Sequence, residues 1–156
     1  MTQHSTPDAP SRSGDIALSR QTCVELLSSH HVGRIAWHAA DGLHLLPVSY
    51  AYHQGAIVFR TSPYGVLSEL VHPAEVVFEV DELDPELRAG WSVMVIGRAE
   101  AVAEPDELVP LWTVDGLVPW ATGVRTLFIQ VAPRRISGRT FGQVTAGSPP
   151  EATRRL

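Results

Sequence analysis

The sequence predicts a mainly β fold, a small antiparallel β-barrel of six strands with short helices plugging its ends. Three observations predict it. Six segments carry strand-type patterning, rich in Val, Ile and aromatic residues and bounded by Gly, Pro and Asp. The helical segments between them are short and few. The second and third strands are joined by a turn too tight for the crossover of a parallel βαβ sheet, which removes the competing architecture.

Residues 1–17 open rich in Ser, Thr and Pro, without periodicity, and read as a disordered tail. Ser19 caps a helix running to Ser29, with Cys23, Leu26 and Leu27 on one face and Gly33 ending it. Arg34 to His38 is the first strand, and Asp41-Gly42 suits the positive φ angles of a tight hairpin. Leu45 to Tyr52 is the second strand, His53-Gln54-Gly55 turns, and Ala56 to Thr61 is the third. Tyr64 to Leu70 forms a short helix, Val76 to Val80 the fourth strand, and Gly90 to Val102 a long fifth strand with Gly97 as a bulge. Asp106 to Trp112 is helical and Arg125 to Gly138 supplies the sixth strand. Residues 144–156, with Gly147, Pro149 and Pro150, form a second disordered tail, which leaves 18–143 as one barrel domain.

Composition narrows the chemistry. At 156 residues the chain can bury a core without a metal or disulfide staple, and its one cysteine, Cys23, permits neither an internal disulfide nor a CxxC zinc knuckle. No apolar run is long enough to span a bilayer and the start lacks a basic-then-apolar signal, so a cytoplasmic protein off the membrane is expected. The net charge of -5 makes nucleic acid a poor partner. All twelve basic residues are Arg, and the absence of Lys and Asn excludes Schiff-base chemistry, a Walker-type lysine and N-glycosylation.

The seven histidines show no HxH or HExxH spacing, so a metal site is not expected, although a single axial haem ligand among His30, His31, His38, His44, His53 and His72 stays open. Cys23, set among Val and Leu, reads as inert packing, and no GxSxG elbow is present. The run Glu79, Asp81, Glu82, Asp84 and Glu86 reads as a solvated strand end and loop. Phe59-Arg60-Thr61-Ser62-Pro63-Tyr64-Gly65-Val66-Leu67 differs. A guanidinium and two hydroxyls leave a strand and enter a helix start, with Pro63 at a first helical position, the ingredients of a phosphate site.

The order of several short signatures resembles the pyridoxamine 5'-phosphate oxidase-like FMN-binding split barrels, in particular their small actinobacterial-type members. The pieces are Val32-Gly33-Arg34-Ile35-Ala36, Leu46-Pro47-Val48-Ser49-Tyr50, Ile57-Val58-Phe59-Arg60-Thr61, Val77-Phe78-Glu79-Val80-Asp81, Gly90-Trp91-Ser92-Val93, Gly97-Arg98-Ala99 and Ile136-Ser137-Gly138-Arg139. They extend from about Ser19 to Phe141.

The resemblance implies a homodimer with FMN in a groove between two barrels. It places Pro47, Val48, Ser49 and Tyr50 along the isoalloxazine, largely through backbone atoms. Arg60 and Thr61, followed by Ser62, Gly65, Val66 and Leu67, fall at the phosphate end, with Ser92 reaching the cofactor, Trp91 beside it and Trp120 at the pocket mouth. Many relatives carry Ser-Lys where this chain has Gly65-Val66, so one cation of the phosphate clamp is missing. The pattern also lacks the Lys and the Arg-x-His pair of a true pyridoxamine-phosphate oxidase. The expected activity is flavin-mediated electron transfer between a reduced nicotinamide and a small-molecule substrate. The alternatives are a deazaflavin-dependent reductase and a non-enzymatic flavin or haem binding module.

Overall fold

The computed structural model describes residues 16–120 and 122–142. Both predicted tails lie outside these residues, apart from Ile16 and Ala17. The elements are β1 (Ile16–Ala17), α1 (Arg20–Ser29), β2 (Val32–Ala39), β3 (Gly42–His53) and β4 (Ala56–Thr61). A 3-10 helix (Val66–Val71), β5 (Ala74–Asp84), β6 (Ala89–Ala101), α2 (Pro105–Leu111) and β7 (Leu127–Phe141) complete the chain.

Six antiparallel strands run in the order β7-β4-β3-β2-β5-β6, and β6 pairs back onto β7 to close the barrel. These are the six predicted strands. The seventh, β1, is a two-residue stub paired with Arg139 and Thr140, too short to carry a readable period. Closure depends on β7, which pairs with β4 through Leu127–Val131 and with β6 from Ile129 onward, so that Ile129, Gln130 and Val131 have partners on both sides.

The predicted bulge at Gly97 is present. Ile96 pairs with Arg135 but Gly97 with Pro133, so Arg134 is the extra residue. Pro133 lacks an amide donor, which suits an irregular position. A Cβ on Gly97 would lie 2.4 Å from the Ala132 carbonyl oxygen, so the two backbones approach too closely for any side chain.

Strand alternation sends Ile35, Trp37, Phe59, Phe78, Val93 and Val95 into the interior, where α1 seats Cys23 and Leu27. Tyr50 is fully buried, donates its hydroxyl to the Leu27 carbonyl at 2.9 Å and meets Phe78 edge-on, tying barrel to helix. Burying one such aromatic contributes about 1.5–3 kcal/mol. A second, smaller core lies outside the barrel, where Val58 and Phe128 are covered by Leu111 of α2 and Leu117 of the loop that follows.

Local details depart from expectation for definable reasons. Ser19 caps α1 as predicted, its hydroxyl accepting from the Thr22 amide at 3.1 Å. Gly33 does not end the helix. The chain turns extended at His30, and Gly33 sits within β2, where a Cβ would lie 2.3 Å from Phe78 Cζ. The β2–β3 loop is Ala40-Asp41, closed by the pair Ala39–Gly42, whereas the β3–β4 turn uses positive φ at both Gln54 and Gly55. The helix predicted over Tyr64–Leu70 is the shorter 3-10 helix, and Pro63 lies in the turn before it. Strand β7 begins at Leu127, two residues later than predicted.

Gly97→Ala is expected to cost about 1–3 kcal/mol through overpacking at the bulge, lowering the thermal midpoint by several degrees. Gly65, with φ of -92° and its nearest hypothetical Cβ contact at 3.7 Å, should accept Ala with no loss. Equal midpoints for wild type and Gly97→Ala in a thermal melt would contradict the close-approach argument.

Candidate functional site

The alternation that fills the barrel also decorates its outside. On the outer face of β3, β2, β5 and β6, Pro47, Arg34, Glu79, Met94 and Ser137 of β7 form one cross-strand row. Leu43 and Leu45 extend the same face and are 82% and 63% exposed. Arg34 stands in the middle, its Nη1 donating to Glu79 at 3.2 Å and to Asp81 at 3.0 Å. Burial first, and then the neighbouring Asp81, hold the Glu79 carboxyl above its ordinary range, with Arg34 opposing them only in part. Arg34 is therefore already neutralised by two acids.

Two open pockets flank this cluster. One, of about 440 Å³, is lined by His30, His31, Val32, Arg34, Pro47 and Asp81 among others. The other, of about 410 Å³, is lined by Glu79, Ser92, Met94, Ser137, Gly138 and Arg139. Both lie in the size range of small-ligand sites. His30 is held by its Nδ1, 2.8 Å from the Leu26 carbonyl; because that oxygen can only accept, Nδ1 carries the proton and Nε2 faces Glu82 at 3.8 Å. The His31 ring packs against Gly116, where a Cβ would lie 2.3 Å from Nδ1. His44 pairs with Asp41, and among the described residues no group of three or more His, Cys, Asp or Glu is placed to hold a metal.

At the end of β4 the chemistry differs. Arg60 is half-buried and donates from Nε and Nη2 to the Arg125 carbonyl at 3.2 and 2.9 Å. Its Cζ lies 4.5 Å above the Trp112 ring and 5.3 Å from that of Phe128. Arg34 and Arg134 have acidic partners, but among the described residues no carboxylate pairs with Arg60. Thr61 is buried beside it, and the Ser62 hydroxyl accepts from the Tyr64 amide at 3.2 Å. The result is a half-buried cation held by a carbonyl and two aromatic rings, with its Nη1 uncommitted among the described residues, which suits an anion receptor.

The residues singled out in the sequence fall into three places. Pro47 and Ser92 line the two outer pockets, one each, and Ser49 shares the outer face of β3 with Pro47. Val48, Tyr50 and Trp91 point into the barrel, so these positions can reach an outside ligand only through backbone atoms. Arg60, Thr61, Ser62, Gly65, Val66 and Leu67 gather at the β4 corner, outside both pockets, and Trp120 is 82% exposed on the loop before β7. The outer-face cluster of Arg34, Glu79 and Asp81 was not recognised from sequence. Its signal was the two-residue spacing of Glu79 and Asp81 on one strand face, but the Arg between them comes from another strand, 45 residues away. No helix among the described residues is long and apolar enough to cross a membrane.

Comparison with known proteins agrees with this geometry. The uncharacterized protein Rv0080 of Mycobacterium tuberculosis is 28% identical over 128 residues, covering 79% of this chain and 83% of its own. The solved FAD binding protein from Mycobacterium smegmatis is 30% identical with a TM-score of 0.67, over 81% of this chain and 98% of its own. A Corynebacterium diphtheriae conserved protein of unknown function is 31% identical with a TM-score of 0.67, over 81% of this chain and 98% of its own. Residues 19–140, nearly the whole barrel, match the family described as pyridoxamine 5'-phosphate oxidase, and with its closed six-strand topology this chain belongs to that family of split barrels.

Proposed function

We propose that this chain is a cytoplasmic, homodimeric flavin-binding oxidoreductase that holds the riboflavin 5'-phosphate unit shared by FMN and FAD. Its task would be to pass electrons between a reduced nicotinamide and a small acceptor. The observation that carries the reading is Arg60, a half-buried guanidinium fixed by the Arg125 carbonyl and Trp112, with no described carboxylate to neutralise it. The likeness to an FAD binding protein at 30% identity supports it. When bound, the flavin supplies the hydride chemistry. The chain's own part is to fix the phosphate at Arg60, Thr61 and Ser62, to line the ring with the β3 backbone from Pro47 to Tyr50, and to reach it from Ser92. Gly65-Val66 leaves this clamp one cation short.

The partner is a second copy of the chain, seated on the outer face of β3, β2 and β5. Leu45 and Val77 flank Ala36 on one cross-strand row, with Leu43 further along β3; all three are exposed on the face that carries the pockets, and burying this apolar surface would exclude water from them.

The visible spectrum of purified protein, before and after adding excess FMN, is expected to show flavin bands that shift and sharpen on binding. A protein that ignores added flavin contradicts the proposal. Arg60→Ala should weaken flavin binding roughly ten- to hundred-fold, as loss of a charge-assisted hydrogen bond predicts, with an unchanged circular dichroism spectrum. The double change Gly65→Ser with Val66→Lys should tighten it by a similar factor. In light scattering at micromolar concentration the wild type should have twice the chain mass, and Leu43→Asp with Leu45→Asp should be monomeric; a monomeric wild type refutes the interface.

A further inference from the structure

We infer that a cleft between α2 and the β3–β4 hairpin is a second binding site, built for a compact organic ammonium ion of the arylalkylamine class. It shares no residue with the two outer-face pockets or the Arg60 corner, and nothing in it depends on a flavin.

The cleft exists because α2 covers only part of the smaller core. Leu111 packs over Val58 and Phe128, whereas between the first turn of α2 and the hairpin residues His53 and Gln54 a cavity of about 150 Å³ remains. That is about the volume that holds one benzene ring in an apolar core. Val58, Val102 and Leu111, all buried, supply its apolar wall.

The polar wall offers acceptors and no fixed cation. Asp106 and Glu107 bring two carboxylates, and no arginine lines the cavity. Gln130 sits where β7 is paired on both sides, and its Nε2 donates to Glu100 at 3.2 Å. With the nitrogen committed to a carboxylate, Oε1 is the end left to accept. Pro110 has no amide proton, so the Asp106 carbonyl is denied the donor that a helix supplies four residues on. Carboxylates, side-chain amide and backbone agree on one polarity: this cavity suits a positively charged hydrogen-bond donor.

A bare metal ion is a poorer match, since among the described residues no three His, Cys, Asp or Glu are placed to hold one. It would also leave the apolar wall unused, whereas a ring bearing an aminomethyl group satisfies both halves of the cavity. No Ser, Thr or Cys lines the cavity, so no hydroxyl or thiol nucleophile is offered to the ligand and the site is one of binding. The chain has no lysine, so a second copy cannot supply the ammonium group.

Benzylammonium is the probe, with benzyl alcohol as its neutral counterpart and benzoate as its anionic one. In a titration of the full chain followed by amide NMR, benzylammonium should give shifts that saturate at concentrations on the order of 10 mM. They should centre on Ala56, Val102 and Gln130, which line the cavity. Benzyl alcohol should bind at least roughly five-fold more weakly, the worth of a solvent-accessible charge pair, and benzoate not at all. Asp106→Asn with Glu107→Gln should bring benzylammonium down to the affinity of the alcohol. Ala56→Leu, which fills the cavity, should abolish binding of both. Equal affinity for ammonium and alcohol, shifts centred elsewhere, or no saturation overturns the inference. Should a variant not fold, the three ligands compared on the wild type still decide.

Discussion

A small barrel has to satisfy the backbone of its first and last strands, and here the closing strand has two neighbours to serve. Over Ile129–Val131, β7 is laddered to β4 on one side and β6 on the other; beyond Val131 it leaves β4 and continues along β6, with the stub β1 on its other side at Arg139 and Thr140. That divergence splits the barrel, and the extra residue at Arg134 opposite Ile96 and Gly97 accommodates it. Without a glycine at 97 the two backbones could not approach, and the ladder that places Ser92 beside Arg139 would start from a different register. The position of every outward side chain on β6 and β7 follows from this closure, because a slip of one residue sends each to the opposite face.

The same alternation divides labour between the two sides of the wall. Inward residues among the described ones are almost all apolar, and the two pockets beside the Arg34 cluster lie on the outside of the wall. There, two arginines with similar sequence settings have opposite fates. Arg34 faces the acidic face of β5 and is neutralised by Glu79 and Asp81. Arg60 lies beside Phe128 of β7, the Arg125 carbonyl just before that strand and the Trp112 ring after α2, and it keeps its charge unbalanced among the described residues. A neutralised arginine ties strands together, whereas a fixed, half-buried and unpaired one attracts an anion.

Much of the fold was legible because it is written in short-range patterns. Six strands, the Ser19 cap, the Gly97 bulge and the burial of Cys23 each depend on residues within a few positions of one another. The misses also have local causes. Gly33 resembles a helix stop, but its missing side chain is needed by Phe78, which packs against it from β5. Pro63 resembles a first helical residue, but the segment is too short for more than a 3-10 turn. At the candidate site, Arg60 and its neighbouring hydroxyls were legible as a contiguous segment with phosphate-binding chemistry. Trp112 and the Arg125 carbonyl, which hold Arg60 in place, were not, since they come from 52 and 65 positions further along the chain.

The sequence by itself determined which residues face in and which face out, because a period of two along each strand is an intramolecular rule that needs no partner. It also determined the chemical types available: arginine without lysine, hydroxyls beside a guanidinium, and no metal-ligand spacing. Only the tertiary structure decided which charges meet. Closing the barrel put Glu79 and Asp81 on Arg34 and left Arg60 beneath Trp112, and the strength of a charge depends on the groups within a few ångströms of it, not on its neighbours in the chain.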